Sequence, residues 1–231
     1  MLQNINIKSI LFLDIETAPR VYLFEDLDER GKELWTKKSK YLIKTEDDTP
    51  ASVYEKAGIY AEFGKVVCVC AAYIAEEDGK EVLKQKTYAD KEEKDLLQNF
   101  FEDINKLPSQ FYLCGHNARE FDIPFLCRRG LVNGLKLPTL LNLSGKKPWE
   151  VQHLDTLDLW KFGDYKHYTS LDLLAYVFDI PTPKDDIDGS MVKKIYWEDH
   201  DLERIIRYCE KDVLTLVNLY RKFSGLAIMK P

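Results

Sequence analysis

The chain has 231 residues, of which 45% are apolar and 31% charged, and its formal net charge is −6. That is the composition of a soluble globular protein with room for a sizeable core, and it argues against a generally basic nucleic-acid coat. It leaves room for a nucleic-acid enzyme, since an acidic metal site is itself negative when empty. Five cysteines without a CxxC pair exclude zinc-ribbon and thioredoxin readings and point to reduced core thiols in a cytosolic, hence cytoplasmic, protein. Neither a signal peptide nor a membrane span is expected, because residues 1–8 are polar and no apolar run reaches about 18 residues.

The first predicted element is a strand over 9–13 that ends in Asp14-Ile15-Glu16-Thr17. Alternation along a strand sends Asp14 and Glu16 to one face and Ile15 to the other. Two carboxylates on one face repel unless something positive lies between them, and a divalent ion with oxygen ligands is the natural candidate. The other reading is a strand that ends in a polar turn. After Pro19 charge dominates through about residue 50, with Lys37, Lys38, Lys40 and Lys44 close together. Leu34, Trp35, Tyr41, Leu42 and Ile43 interrupt that charge, so residues 19–64 read as a partly helical insertion folding over the main domain. Its lysines read first as a solvated helix face and second as a phosphate-contacting patch.

Residues 65–74 are apolar on both faces, as in a covered strand, and Asp78-Gly79 turns the chain into a returning strand over 81–88. Leu96, Leu97, Phe100, Phe101 and Ile104 have helical spacing. A short strand over 111–114 runs into Gly115-His116-Asn117, and a helix is predicted over 121–129. A short strand over 151–154 precedes Asp155. Residues 169–178 read as a helix with Ser170 or Thr169 as its N-cap, and Pro181 and Gly189 mark the loop beyond. The clearest element is the last: Leu202, Ile205, Ile206, Cys209, Val213, Leu216 and Tyr220 step by three or four through about Phe223. Strands first, then alternating helices and strands, indicate an α/β domain with a mixed sheet.

Two further sets of polar residues stand at element ends. Asp122 opens a predicted helix, where a first-turn cap explains it as well as any functional role. Tyr208 and Asp212 are four apart on the last helix, one turn above each other at the edge of the apolar stripe. There a Tyr–Asp hydrogen-bonded pair is an equal alternative.

Taken together, these segments resemble the three motifs of the DEDD superfamily of 3′–5′ exonucleases, whose fold is RNase H-like. Asp14-Ile15-Glu16-Thr17 matches the first motif and Asn117-x-x-x-Phe121-Asp122 the second. Tyr208-x-x-x-Asp212 matches the third in its Tyr form, the DEDDy subgroup that includes the proofreading domains of family A and family B DNA polymerases. The resemblance covers about residues 7 to 223. It is closest to stand-alone predicted exonucleases related to the family B proofreading domain, where an Asp-Gly-Ser segment (here Asp188-Gly189-Ser190) precedes the last helix.

The resemblance implies one exonuclease domain over 1–231, a mixed central sheet flanked by helices, and an insertion at 19–64 after the first strand. It implies two divalent ions, Mg2+ or Mn2+, held by Asp14, Glu16, Asp122 and Asp212, with Asp14 bridging both. Tyr208 would orient or deprotonate the attacking water, with orientation the stronger reading because an ordinary phenol titrates near ~10 and is a poor base at neutral pH. Thr17, Asn117 and Phe121 would contact the 3′-terminal nucleotide, though core packing is the stronger reading of Phe121. Asp155 takes a supporting role. His116, Arg119, Arg128 and Arg129 are weaker phosphate candidates than surface or hydrogen-bonding residues. The implied activity is release of mononucleotides from single-stranded 3′ ends, DNA ahead of RNA, with no membrane partner. The competing readings are an exoribonuclease of the RNase D or oligoribonuclease kind, a non-catalytic nucleic-acid-binding module, and a small-molecule metal hydrolase.

Overall fold

Five extended segments build one mixed sheet in the computed structural model, which describes residues 5–164, 166–182 and 187–230. They are β1 (Ile10–Pro19), β2 (Gly64–Glu77), β3 (Lys80–Tyr88), β4 (Tyr112–Gly115) and β5 (Leu154–Asp155). Their order is β3-β2-β1-β4-β5, with β1 antiparallel to β2 and parallel to β4, and β4 parallel to β5. Asp78 and Gly79, at φ of 50° and 74°, are the two left-handed residues that the β2–β3 hairpin turn requires.

Helices cover both faces. α1 (Glu29–Lys38) lies between β1 and β2, α2 (Glu93–Ile104) follows β3, and α3 (Asp122–Val132) follows β4. α4 (Thr156–Lys161) and α5 (Leu171–Val177) follow β5. α6 (Val192–Lys194) continues into a π-helical turn over Ile195–Asp199, and α7 (Leu202–Phe223) comes last. The α/β fold with a mixed sheet flanked by helices is the one the sequence predicts, and it is consistent with an RNase H-like architecture.

The pleat of β1 divides the core. Ile10 and Phe12 pack with Cys68, Cys70 and Cys114 beneath the α7 stripe of Ile205, Cys209, Val213, Leu216 and Tyr220. Leu11, Leu13 and Ile15 face the other way, onto Leu96, Leu97, Phe100, Ile123 and Phe125 of α2 and α3. β1 is therefore covered on both faces, which is why its sequence reads as an apolar run broken only by Asp14, Glu16 and Thr17.

The segment between β1 and β2 has a small core of its own. Trp35 is fully buried among Leu27, Val53, Tyr54 and Ala57, and its indole N–H donates to the Pro50 carbonyl at 2.7 Å. The 3-10 turn over Ser52–Ile59 presses on β1 so closely that a Cβ on Gly58 would lie 3.2 Å from the Ala18 carbonyl carbon and from Pro19 Cδ.

Three details differ from the sequence-based expectation. β5 pairs through two residues only, Leu154 and Asp155, because the chain enters this sheet edge from a loop and turns at once into α4. Neither α4 nor the π-helical turn is legible in the sequence, being too short to show a period. Arg129 is not a phosphate contact: it is buried, with its guanidinium on both Glu93 carboxylate oxygens (2.9 and 2.6 Å) and on the Ala61 carbonyl (2.9 Å). Glu93 also accepts from the Val66 amide at 2.7 Å and the Asn133 amide at 3.0 Å, so this ion pair joins α2, α3 and the start of β2.

Candidate active site

Asp14 and Glu16 stand opposite Cys70 and Cys68 of β2, on the face turned toward α7. Immediately beyond, the register slips: Glu16 pairs with Cys68 but Thr17 with Val66, which leaves Val67 as the extra residue of a bulge. A bulge bends its strand and re-aims the neighbouring side chains, and this one sits beside the two acids.

α7 supplies the facing groups. Its Cys209 sulfur lies 3.5 Å from both the main-chain oxygen and Oδ2 of Asp14, and one donor atom each from Asp14, Glu16 and Cys209 falls within 4.8 Å of the others. One residue before Cys209, Tyr208 shares a hydrogen bond with Asp212, one turn further along the helix, and the Asp212 charge acts on both Asp14 and Glu16. Asp122 arrives from the opposite face as the first residue of α3. It is 4% exposed, and its Oδ1 accepts the Ile15 amide of β1 at 3.1 Å. Thus β1 carries two acids outward on one side and donates its intervening N–H to a third.

Burial, then repulsion from Glu16, Asp122 and Asp212, holds the Asp14 carboxyl well above the ordinary carboxylate range. Burial followed by Asp212 and Asp122 does the same to Glu16. Asp122 is pushed up to about 7, burial outweighing the backbone N–H groups, its own and that of Ile15, that favour its charged form. The groups acting most strongly on Asp14 are thus anionic, the situation a divalent cation relieves. The donors are carboxylate oxygens, which suits Mg2+ or Mn2+. Cys209 adds no charge, since burial and its thiol neighbours raise its pKa well above the usual value. The Tyr208 phenol is raised too, by burial first and then by Asp212, Glu16 and Asp14, so it keeps its proton at neutral pH.

The loop before α3 is held by Asp155. Asn117 has φ of 64°, and its N–H reaches Asp155 Oδ1 at 2.9 Å, while the Arg119 N–H reaches Oδ2 at 3.0 Å. Asp155 also caps α4 by accepting the Leu157 amide at 2.9 Å. The same turn demands glycine at 115, where a Cβ would come 2.3 Å from the Ala118 Cβ. His116, a candidate phosphate contact by sequence, spends both ring nitrogens inside the fold, Nε2 on the Thr169 carbonyl at 2.8 Å and Nδ1 against the Thr156 hydroxyl at 2.9 Å.

Of the expected substrate contacts, Thr17 is half-buried at the bulge and Asn117 half-buried in the loop. Phe121 is half-buried against Phe125, with ring centroids 5.5 Å apart. Arg119 pairs with Asp158 at 3.1 Å, and Arg128 is exposed. Two residues near the acids escape sequence reasoning. Cys209 has no signal beyond its place between Tyr208 and Asp212. Tyr168, 66% exposed, sets its ring edge-on to His116 at 6.2 Å, with its phenol influenced by Asp122 and Asp14.

Residues 59–228 match a family described as "Predicted 3'-5' exonuclease related to the exonuclease domain of PolB". That span holds Asp122, Tyr208 and Asp212, and it begins after β1, so Asp14 and Glu16 precede it. A "DNA polymerase" of Pyrococcus glycovorans is 22% identical over 180 residues, covering 70% of this chain. The aligned region is 23% of the polymerase, so the chain spans less than a quarter of that relative.

Proposed function

The chain belongs to the predicted 3′–5′ exonucleases related to the exonuclease domain of PolB, and we propose that it releases mononucleotides from the 3′ end of single-stranded DNA in the DEDDy manner. The observation that supports this reading is that Asp14 and Glu16 of β1 lie together while the charges of Asp122 on α3 and Asp212 on α7 act on both. Their oxygens would hold two divalent ions, Mg2+ or Mn2+, with Asp14 shared, Glu16 and Asp212 completing one position and Asp122 the other. Held there, such ions would supply charge neutralisation at the phosphodiester and activation of the attacking water.

The protein's own groups do the positioning. Tyr208, still protonated and tied to Asp212, aligns the attacking water as a hydrogen-bonding partner rather than removing its proton. Asp155 fixes the backbone of Asn117 and Arg119, and with it the approach to Asp122. Thr17, beside Glu16, and Asn117 contact the terminal nucleotide, and Phe121 packs behind them. The whole chain acts as one catalytic domain with 19–64 as an insertion, working in the cytoplasm, where its free cysteines stay reduced. Similarity to a DNA polymerase favours DNA over RNA.

Hydrolysis of 3′-labelled single-stranded DNA and RNA with Mg2+ or Mn2+ tests the proposal. Asp14→Ala and Asp212→Ala are each expected to lower turnover at least about a hundredfold, since losing even a supporting contact of a metal ligand costs about 10–100-fold. Tyr208→Phe should cost about 10²-fold or more while calorimetric Mn2+ binding persists. Wild-type rates in Asp14→Ala would refute the site, and faster turnover of RNA would transfer the assignment to the exoribonuclease reading. Nucleic-acid binding without hydrolysis would leave a non-catalytic module.

A further inference from the structure

Some lysines of this chain stand beside a carboxylate, such as Lys37 with Glu33, Lys84 with Glu77, and Lys86 and Lys106 with Asp103. Three cations at the far end of β1 do not. Among the described residues no carboxylate lies within ion-pair distance of Arg20, Lys65 or Lys193. Lys65 is instead over the ring of Tyr196 (5.1 Å from its centroid) and hydrogen-bonded to its hydroxyl at 2.9 Å. Lys193 is over Tyr22 and Tyr54, at 5.0 and 5.8 Å. Arg20 is exposed, one residue past β1, and its charge acts on Tyr54.

We propose that Arg20, Lys65 and Lys193 form the track along which the phosphodiester backbone of a single strand enters, upstream of its 3′-terminal nucleotide. The inference rests on the nuclease reading above and extends it to the path of the substrate.

Register places the track. Lys65 pairs with Ala18, two residues beyond Glu16, and Ala18 packs on the face of Phe12 and Cys68. Lys65 therefore stands on the sheet face of Asp14 and Glu16, about 7 Å further along the strand. Successive phosphates of a single strand are separated by a comparable distance, so a backbone leaving the carboxylates meets this cation next. Lys193 comes to the same rim from α6, whose neighbour Val192 is buried in the core of that face. The Trp197 indole, donating to the Pro19 carbonyl at 2.9 Å, ties the π-helical turn to the end of β1.

The aromatic setting holds Lys65 and Lys193 without a direct ion pair. Lys65 spends one of its three N–H donors on the Tyr196 oxygen, and the rings of Tyr22 and Tyr54 attract the Lys193 ammonium group without consuming its donors. Donors remain for phosphate oxygens. Glu25, Glu55 and Glu198 add negative charge around Lys193, and the hydroxyl of Tyr22 donates to Glu198, but none of the three forms an ion pair with Lys193.

The test combines binding and turnover. Anisotropy of a fluorescein-labelled oligothymidylate of about 20 nucleotides, in Ca2+, is measured across salt concentrations for wild type, Lys65→Gln/Lys193→Gln, Arg20→Gln and the charge-retaining Lys65→Arg/Lys193→Arg. Each single-strand phosphate contact adds about 0.7 to the slope of log K against log salt, so the double glutamine variant should lose about 1.4 and bind about tenfold more weakly. Arg20→Gln should lose about 0.7, and the arginine pair should keep the wild-type slope. In parallel, the ratio of kcat/KM for the oligonucleotide to that for thymidine 5′-monophosphate 4-nitrophenyl ester should fall about tenfold in the double glutamine variant. Unchanged slopes and ratio, even with a lowered melting temperature, would overturn the proposal and reduce the lysines to braces of the 19–64 insertion. Wild-type inactivity on both substrates would refute the nuclease reading instead, and the binding slopes would still decide this one.

Discussion

Replacing Asp155 by asparagine separates the charge of this residue from its shape. The carboxylate is 3% exposed and accepts three main-chain N–H groups, from Asn117, Arg119 and Leu157, at 2.9, 3.0 and 2.9 Å. An asparagine can keep the Asn117 and Leu157 bonds on its single oxygen, but its NH2 then faces the Arg119 N–H, donor against donor. A hydrogen bond to a charged group contributes about 1.5–3 kcal/mol, so losing one and weakening two should cost about 3 kcal/mol. For a chain of this length that lowers Tm by roughly 6–12 °C. Asp155→Ala leaves all three donors unsatisfied and should cost about 4–5 kcal/mol. Because the bracketed loop leads into Asp122, the asparagine variant should also lose about 10²-fold in turnover, the usual effect of a shift near 1 Å. Calorimetry and hydrolysis of labelled single-stranded DNA read both effects. Asp158→Asn is the control: its pairs with Arg119 and Lys161, both at 3.1 Å, are partly exposed and should contribute less than about 1 kcal/mol. A stability change under about 0.5 kcal/mol in Asp155→Asn, with turnover within about twofold of wild type, would mean that the Asp155 carboxylate does not hold the loop before Asp122.

Two other expectations concern charge in the interior. Glu93→Gln strands the buried Arg129 guanidinium, and urea denaturation should show a loss of about 3–5 kcal/mol; a loss below about 1 kcal/mol would mean that Arg129 finds another partner. Without divalent ions, stability should fall as pH rises. Asp122 titrates at about 7 when folded against an ordinary value of 3.8, so between these the native state binds more protons than the unfolded chain. The difference of about 3 units corresponds to roughly 4 kcal/mol, present below pH 4 and lost by pH 7. Asp14 and Glu16 shift in the same direction and steepen the slope. Mn2+ at pH 8 should restore the melting temperature and EDTA remove it again. A flat profile without metal, together with no response to Mn2+, would contradict the carboxylate cluster.

Much of the fold is legible along the chain because its causes are local. Alternation puts Asp14 and Glu16 on one face of β1 and Ile15 on the other, and the two core layers follow that division. The stripe from Leu202 to Tyr220 marks α7, and its period of 3.6 sets Tyr208 over Asp212. Asp78-Gly79 specifies its turn by backbone sterics alone, and Ser170 caps α5 as its residue type suggests, accepting the Leu173 amide at 3.2 Å.

Other features depend on residues brought together from distant parts of the chain, for which no periodicity exists. The partners of Asp155 lie on another strand's loop, so a residue that reads as the end of a short strand turns out to bracket Asn117 and Arg119. Arg129 reads as one of two adjacent surface arginines until α2 supplies Glu93, and His116 reads as a loop histidine until Thr156 and Thr169 take its two nitrogens. The bulge opposite Glu16 arises from the register of β2 against β1, which neither strand encodes alone. Asp14, Glu16, the Tyr208–Asp212 pair and Asp122 were determined by sequence as residues at the ends of predictable elements. That they face one another, with a rim of ring-held cations beyond them, was decided only when α7 and α3 packed on opposite faces of the same strand, since burial of apolar stripes, not the acids' mutual repulsion, drives that packing.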